Sequence, residues 1–169
     1  MNKDDNTTKT KKQIAMTVNG EMFTRDIYHH MTLAEFLREE IGLTGTKIGC
    51  NRGECGSCTV ILNGHAVYAC SVLAVEADGK SVQTIENLSD GDKLHPIQQA
   101  FIVHDALQCG YCTPGMIMSV KNLLDSNSHP TKDDVRCAIE GNFCRCGSYQ
   151  NIIKAALDVS GKPADSDRS

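Results

Sequence analysis

No apolar run in the 169 residues approaches the length of a membrane span. The opening Met1-Asn2-Lys3-Asp4-Asp5 leads into polar Thr and Lys, where an export signal would have an apolar core. The expectation is therefore a cytoplasmic location, where cysteines stay reduced and serve metals or catalysis. Charge of one sign is also scarce. The net charge is −4, and the one basic cluster is Lys9, Lys11 and Lys12, which argues against a nucleic-acid partner. The six histidines include no H-x3-H pair, so neither a histidine metal site nor Rieske-type ligation has support. There is no G-x-G-x-x-G, and Gly42-Leu43-Thr44-Gly45-Thr46-Lys47 lacks the spacing of a phosphate loop, which speaks against nucleotide binding.

Cysteine is the residue in excess, with nine in the chain. At 40% apolar residues the chain can build one ordinary domain or two small ones with thin cores, and small domains commonly need metals or cross-links.

Residues 1–13 are polar and aperiodic and are expected to form a flexible tail, with order beginning near Ile14. Ile14, Met16 and Val18 alternate as in a strand, Asn19-Gly20 suits a tight turn, and Met22 to Ile27 return as a second strand. Thr32 and Glu35 make a capping box ahead of Leu33, Phe36 and Leu37, and Gly42 closes that helix. A glycine-rich loop, Gly45 to Ser57, is followed by a hairpin of Thr59–Leu62 and Ala66–Ala69 around Asn63-Gly64, ending at Cys70. Val82 to Ile85 offers a further strand. The expected N-terminal domain, residues 14–88, is a mixed sheet wrapped on a helix. After the polar stretch Asn87 to Asp92 the strand signals stop. Four short helices are expected in residues 89–162, opened by Pro96, Pro114, Pro130-Thr131 and Tyr149, with a polar tail over 163–169. The fold class is thus α+β, a sheet domain followed by an all-α bundle.

Cys50, Cys55, Cys58 and Cys70 are spaced C-x4-C-x2-C with a fourth cysteine after eleven intervening residues, the plant-type [2Fe–2S] ligand pattern. Three ligands on one loop must converge on a small cluster, and Gly49, Gly53 and Gly56 supply a backbone that folds sharply enough. Their amides are also left free to approach sulfur. A zinc site is the competing reading, but zinc ribbons pair two C-x2-C knuckles, and this loop does not.

Cys109 and Cys112 form C-x2-C, and Cys144 and Cys146 form C-x-C, each just ahead of an expected helix. Two helix N-termini would then face one anionic group, with Arg145 as an added cation. By spacing alone, zinc or a dithiol redox motif competes with a cluster here.

Gln108-Cys109-Gly110-Tyr111-Cys112-Thr113-Pro114-Gly115-Met116 and Gly141-Asn142-Phe143-Cys144-Arg145-Cys146 resemble the two signatures of the small iron–sulfur subunit of the molybdenum hydroxylase (xanthine oxidase) family. The resemblance runs from Ile14 to about Gly161. It implies a β-grasp ferredoxin-like [2Fe–2S] domain and a four-helix-bundle [2Fe–2S] domain. Cys50, Cys55, Cys58 and Cys70 would ligate the distal cluster, and Cys109, Cys112, Cys144 and Cys146 the proximal one. Gln108 and Cys146 would touch a molybdopterin, of the cytosine dinucleotide form, in a large partner subunit. A medium subunit carrying FAD is a further implied partner. The ending Cys146-Gly147-Ser148-Tyr149-Gln150-Asn151-Ile152 departs from the commoner C-R-C-T-G-Y and leans toward the bacterial aldehyde-oxidising branch.

The resemblance implies electron transfer from the molybdopterin centre through both clusters to a flavin or other acceptor, with an aldehyde or N-heterocyclic or aromatic substrate oxidised on the partner. A free-standing two-cluster ferredoxin and a structural zinc module are the alternatives. Cys137, mid-helix and remote from other cysteines, is expected to be a buried packing residue, and Met116 and Met118 likewise pack.

Overall fold

The computed structural model describes residues 10–161. The expected tails therefore lie outside the described residues, apart from 10–13. Strand β1 (Lys11–Val18) begins three residues before Ile14, because backbone pairing with β2 (Glu21–Tyr28) continues to Lys11↔Tyr28 whatever the side chains are. The Lys11 ammonium lies 5.0 Å from the Tyr28 ring centroid, giving this polar end a partner. Asn19 and Gly20, at φ 54° and 87°, make the tight turn between the strands. Ile14, Met16 and Val18 then share one buried face.

Helix α1 (Leu33–Glu35) starts on the expected capping box. Thr32 Oγ1 accepts from the Glu35 amide at 3.2 Å, and the Thr32 amide donates to Glu35 Oε2 at 2.8 Å. Its continuation, Phe36–Glu40, widens to a π-helical turn. Gly42 then turns the chain at φ 77°, letting the Leu43 amide reach back to the Leu37 carbonyl at 2.8 Å. Leu33, Ala34, Phe36 and Leu37 are buried against the sheet.

β3 (Thr59–Leu62) and β4 (His65–Tyr68) pair around Asn63-Gly64, and β5 (Ser81–Gln83) completes a five-stranded sheet in the order β2-β1-β5-β3-β4. β5 runs parallel to β1 and antiparallel to β3, which makes the sheet mixed. It stops before Ile85 because Asn19 captures Thr84. The Asn19 side chain accepts the Thr84 amide at 2.9 Å and donates to its hydroxyl at 2.8 Å. All of β3 is buried. Val60 and Leu62 join the core with α1, while the opposite face meets a helix of the second half.

That helix is α3 (Thr113–Ser126), and α2 (Pro96–Val103), α4 (Lys132–Ile139) and α5 (Tyr149–Val159) pack with it around Ile97, Phe101, Met116, Val120, Val135, Ile139, Ile152 and Ile153. The N-terminal turns of α3 are buried on every side, Gly115 through Val120, since α3 contacts β3 on one face and the other helices on the rest. Met116 and Met118 are both packed, at 0% and 1% exposure. Cys137 is not: it is exposed. Val135 and Ile139 carry the buried face of α4, and a residue two positions from each is about 200° round the helix, on the opposite side.

Candidate [2Fe–2S] sites

Residues 43–58 carry no strand or helix between α1 and β3, and three cysteines of the first set lie in this loop. The fourth, Cys70, stands in a one-turn 3₁₀ helix, Ala69–Ser71, just past β4 and not at the strand's end. Gly53 adopts φ 77°, which turns its amide onto Cys70 Sγ at 3.4 Å. The Glu54 amide reaches Cys50 Sγ at 3.3 Å. A Cβ on Gly49 would stand 3.0 Å from Cys55 Sγ, so that position is kept clear of any side chain.

Within this set Cys55 is a neighbour of Cys50, and both Cys70 and Cys55 are neighbours of Cys58. The Arg52 amide is the chief cause that brings the Cys50 thiol down to about 7, against burial and with help from the Glu54 and Cys55 amides. Burial pushes Cys58 up to about 12, and its neighbours Cys70 and Cys55 add to the rise. Adjacent buried sulfurs can all ionise only against a cation. This is donor chemistry for metal.

In the second set, Cys112 sits at the N-terminus of α3, and Cys144 and Cys146 precede Ser148, which heads α5. Burial raises Cys112 to about 12, and its bond to Cys144 adds to the effect. Burial would also raise Cys144, but the Ser148 amide, the Cys112 thiol and the Cys146 and Gly147 amides outweigh it and hold the thiol below its ordinary range. Cys109 is exposed, and Cys146 is half-buried. Gln108 Nε2 donates to the Cys146 carbonyl at 3.4 Å, bringing together the two residues that the resemblance assigns to a pterin contact.

The two sets face each other. A cleft of about 310 Å³ is lined by Cys50 and Cys55 from the first and by Cys109, Cys112 and Cys144 from the second, with Tyr111, Phe143 and Arg145 between them. Hydrogen bonds join the loops directly: the Tyr111 hydroxyl donates to the Ile48 carbonyl at 2.7 Å, and the Phe143 amide to the Cys55 carbonyl at 2.9 Å.

Sequence reasoning gave Asn142 no role, although it lies in the quoted Gly141-to-Cys146 motif. Its side chain is buried and donates to the Gly56 carbonyl at 2.9 Å and to Thr59 Oγ1 at 3.3 Å, and it accepts from Ser119 Oγ at 2.8 Å. One amide thus holds the first ligand loop, β3 and α3 to the second ligand loop. Tyr149 fixes the other side of that loop, accepting the Cys144 amide at 2.8 Å and donating to the Asn142 carbonyl at 3.1 Å. A polar asparagine beside Gly141 was the only signal, and it reads equally well as a turn residue.

Comparison with known proteins assigns each half a domain. Residues 16–91 match the 2Fe-2S iron-sulfur cluster binding domain, and residues 84–157 the [2Fe-2S] binding domain. The small subunit of nicotine 6-hydroxylase from Paenarthrobacter nicotinovorans is 48% identical over 150 residues, covering 89% of this chain and 90% of that one. The crystal structure of quinoline 2-oxidoreductase from Pseudomonas putida 86 superposes with a TM-score of 0.87 at 45% identity, over 90% of this chain and 95% of that one. An aldehyde oxidoreductase from Megalodesulfovibrio gigas is 40% identical over 162 residues, which cover 92% of this chain but 18% of that protein. The chain belongs to the family of small iron–sulfur subunits of molybdenum hydroxylases and aldehyde oxidoreductases. It is an iron–sulfur subunit of an oxidoreductase. No helix among the described residues is long and apolar enough to cross a membrane.

Proposed function

We propose that this chain carries single electrons from the molybdopterin centre of a large partner subunit to a flavin or other acceptor, holding one [2Fe–2S] cluster in each half. When bound, a [2Fe–2S] cluster supplies reversible one-electron chemistry. Cys50, Cys55, Cys58 and Cys70 hold the distal cluster, and Cys109, Cys112, Cys144 and Cys146 the proximal one. The observation that carries this reading is that cysteines of both sets line one cleft while backbone amides reach sulfur, Gly53 to Cys70 at 3.4 Å and Glu54 to Cys50 at 3.3 Å, as a cluster's anionic ligands require.

The chain's residues bind, orient and shield. Backbone amides aimed at Cys50, Cys70 and Cys144 stabilise thiolate and tune the potential. Tyr111 and Asn142 hold the two ligand loops at a fixed separation. Gln108 and Cys146 face outward beside the exposed Leu107, placed to meet a pterin and a partner surface. The N-terminal domain, 14–88, is of the β-grasp type and the C-terminal domain, 89–162, is a four-helix bundle. Support for a division there comes from two separate cores and from matched ranges that overlap at 84–91. In the M. gigas relative the corresponding residues are part of a much longer chain, which supports close association with a large partner. The substrate is an aldehyde or an N-heterocycle. Identity of 48% to a nicotine hydroxylase subunit and 40% to an aldehyde oxidoreductase lends no weight to the aldehyde branch over the other.

The test is purification of the tagged chain from cells carrying the neighbouring subunits. Iron and acid-labile sulfide at two clusters per chain, two rhombic EPR signals on reduction and a co-purifying molybdopterin subunit are expected. Zinc without sulfide overturns the cluster assignment. Leu107→Asp should leave both EPR signals intact while weakening retention of the large subunit.

A further inference from the structure

Ser148 carries one of two buried side-chain oxygens that lack a hydrogen-bond partner among the described residues. The residue is 7% exposed, so water does not readily satisfy it. A serine heading a helix ordinarily turns its hydroxyl onto an amide of the first turn. Ser148 heads the eleven-residue α5 but has φ −70° and ψ 12°, not the extended backbone that capping requires, and its side chain makes no capping bond. Its hydroxyl is a donor held in reserve.

The surroundings indicate for what. Ser148 follows Cys144 and Cys146 on one short loop, which the Gly147 amide closes on the Cys144 carbonyl at 3.3 Å, and its own amide is close enough to lower the pKa of the Cys144 thiol; the hydroxyl hangs from the same Cα as that amide. Gly147, at φ 79°, provides the left-handed step that folds Ser148 back toward Cys144. The commoner family ending C-R-C-T-G-Y has glycine where this chain has Ser148, so the hydroxyl is a feature of this sequence.

We propose that the Ser148 hydroxyl donates a hydrogen bond to a sulfur of the cluster held by Cys109, Cys112, Cys144 and Cys146, and so raises that cluster's reduction potential. The inference rests on the ligand reading above. One-electron reduction adds negative charge to the cluster sulfurs, so a fixed O–H donor favours the reduced form over the oxidised one. In the oxidised state the same bond satisfies an otherwise orphaned buried hydroxyl.

The experiment is an EPR-monitored redox titration of the full chain with clusters loaded, wild type against Ser148→Ala. One of the two one-electron steps should move to lower potential by about tenfold in equilibrium constant, which is about 59 mV for one electron, while the other stays. The signal that moves should not be the one perturbed by Cys58→Ser. It should also lose a deuterium-exchangeable proton coupling. Unchanged potentials in a Ser148→Ala chain with full iron and sulfide, or equal movement of both steps, would overturn the proposal. A wild-type chain without labile sulfide would instead overturn the ligand reading, so the two failures are distinguishable.

Discussion

At the scale of single residues, Asn142 joins the two halves through two buried side-chain hydrogen bonds, to Gly56 and Thr59, and accepts a third from Ser119 of α3. Asn142→Ala strands the Ser119 hydroxyl, while the Gly56 carbonyl keeps the Thr59 amide and hydroxyl as donors, and the expected loss is about 2 kcal/mol from the lost bonds and one unsatisfied group. Urea unfolding followed by far-UV circular dichroism measures it. His95 is a second case. Its Nδ1 accepts the Ile97 amide at 3.3 Å and caps α2, which only the neutral ring can do. Burial chiefly, and then the Lys121 ammonium, hold its pKa below the ordinary 6.5. As pH falls the unfolded chain therefore takes up this proton first. The cap's contribution is complete above pH 6.5 and is lost progressively below it. Thermal melts from about pH 8 to about pH 5 should show a falling midpoint, and His95→Asn, which keeps an acceptor without titrating, should flatten that slope. Asn142 was legible only as part of a motif. Its partners are 86, 83 and 23 residues away, and no local pattern encodes contacts at such separation.

At the scale of elements, α3 is the piece that both halves share. Gly115 in its first turn has no room for a methyl group, because a Cβ there would collide with the Gly56 carbonyl of the first ligand loop. Gly115→Ala should push the helix off that loop, costing about 1–3 kcal/mol by overpacking and lowering iron retention in the N-terminal half. Denaturant midpoint and iron content per chain report the two effects. The helices themselves were plain in the sequence, since capping boxes at Thr32 and Thr131 and first-turn prolines at Pro96 and Pro114 are local signals. The burial of α3 on all sides was not. Its sequence reads as a one-faced helix with Gly115 and Ser119 on the polar side, and the two ligand loops and β3, arriving from other parts of the chain, cover that side. Cys137 shows the converse. A cysteine in a helix is most often a packing residue, but α4 is only eight residues long and has a single buried stripe, which misses it.

For the whole molecule, the candidate ligand loops are irregular, and on the proposed reading the clusters are their cross-links. Removing iron with a chelator should lower the thermal midpoint by roughly 10 °C, with loss of the visible absorption, as calorimetry would show. Both halves should soften together, because Tyr111, Phe143 and Asn142 couple the two loops. The amino-acid sequence alone is enough for the element types of the two halves and for the family, and it nominates the eight cysteines as ligands. Turn dipeptides, capping boxes and cysteine spacings act within a few residues, so they can be read without knowing the fold. How the two sets stand to each other is a matter of the tertiary fold: one cleft lined by both, amides brought onto Cys50 and Cys70, and a buried hydroxyl at Ser148 left without a partner among the described residues. Those features depend on backbones brought together from distant parts of the chain, where burial and amide direction set the chemistry of a sulfur more than its neighbours in sequence do.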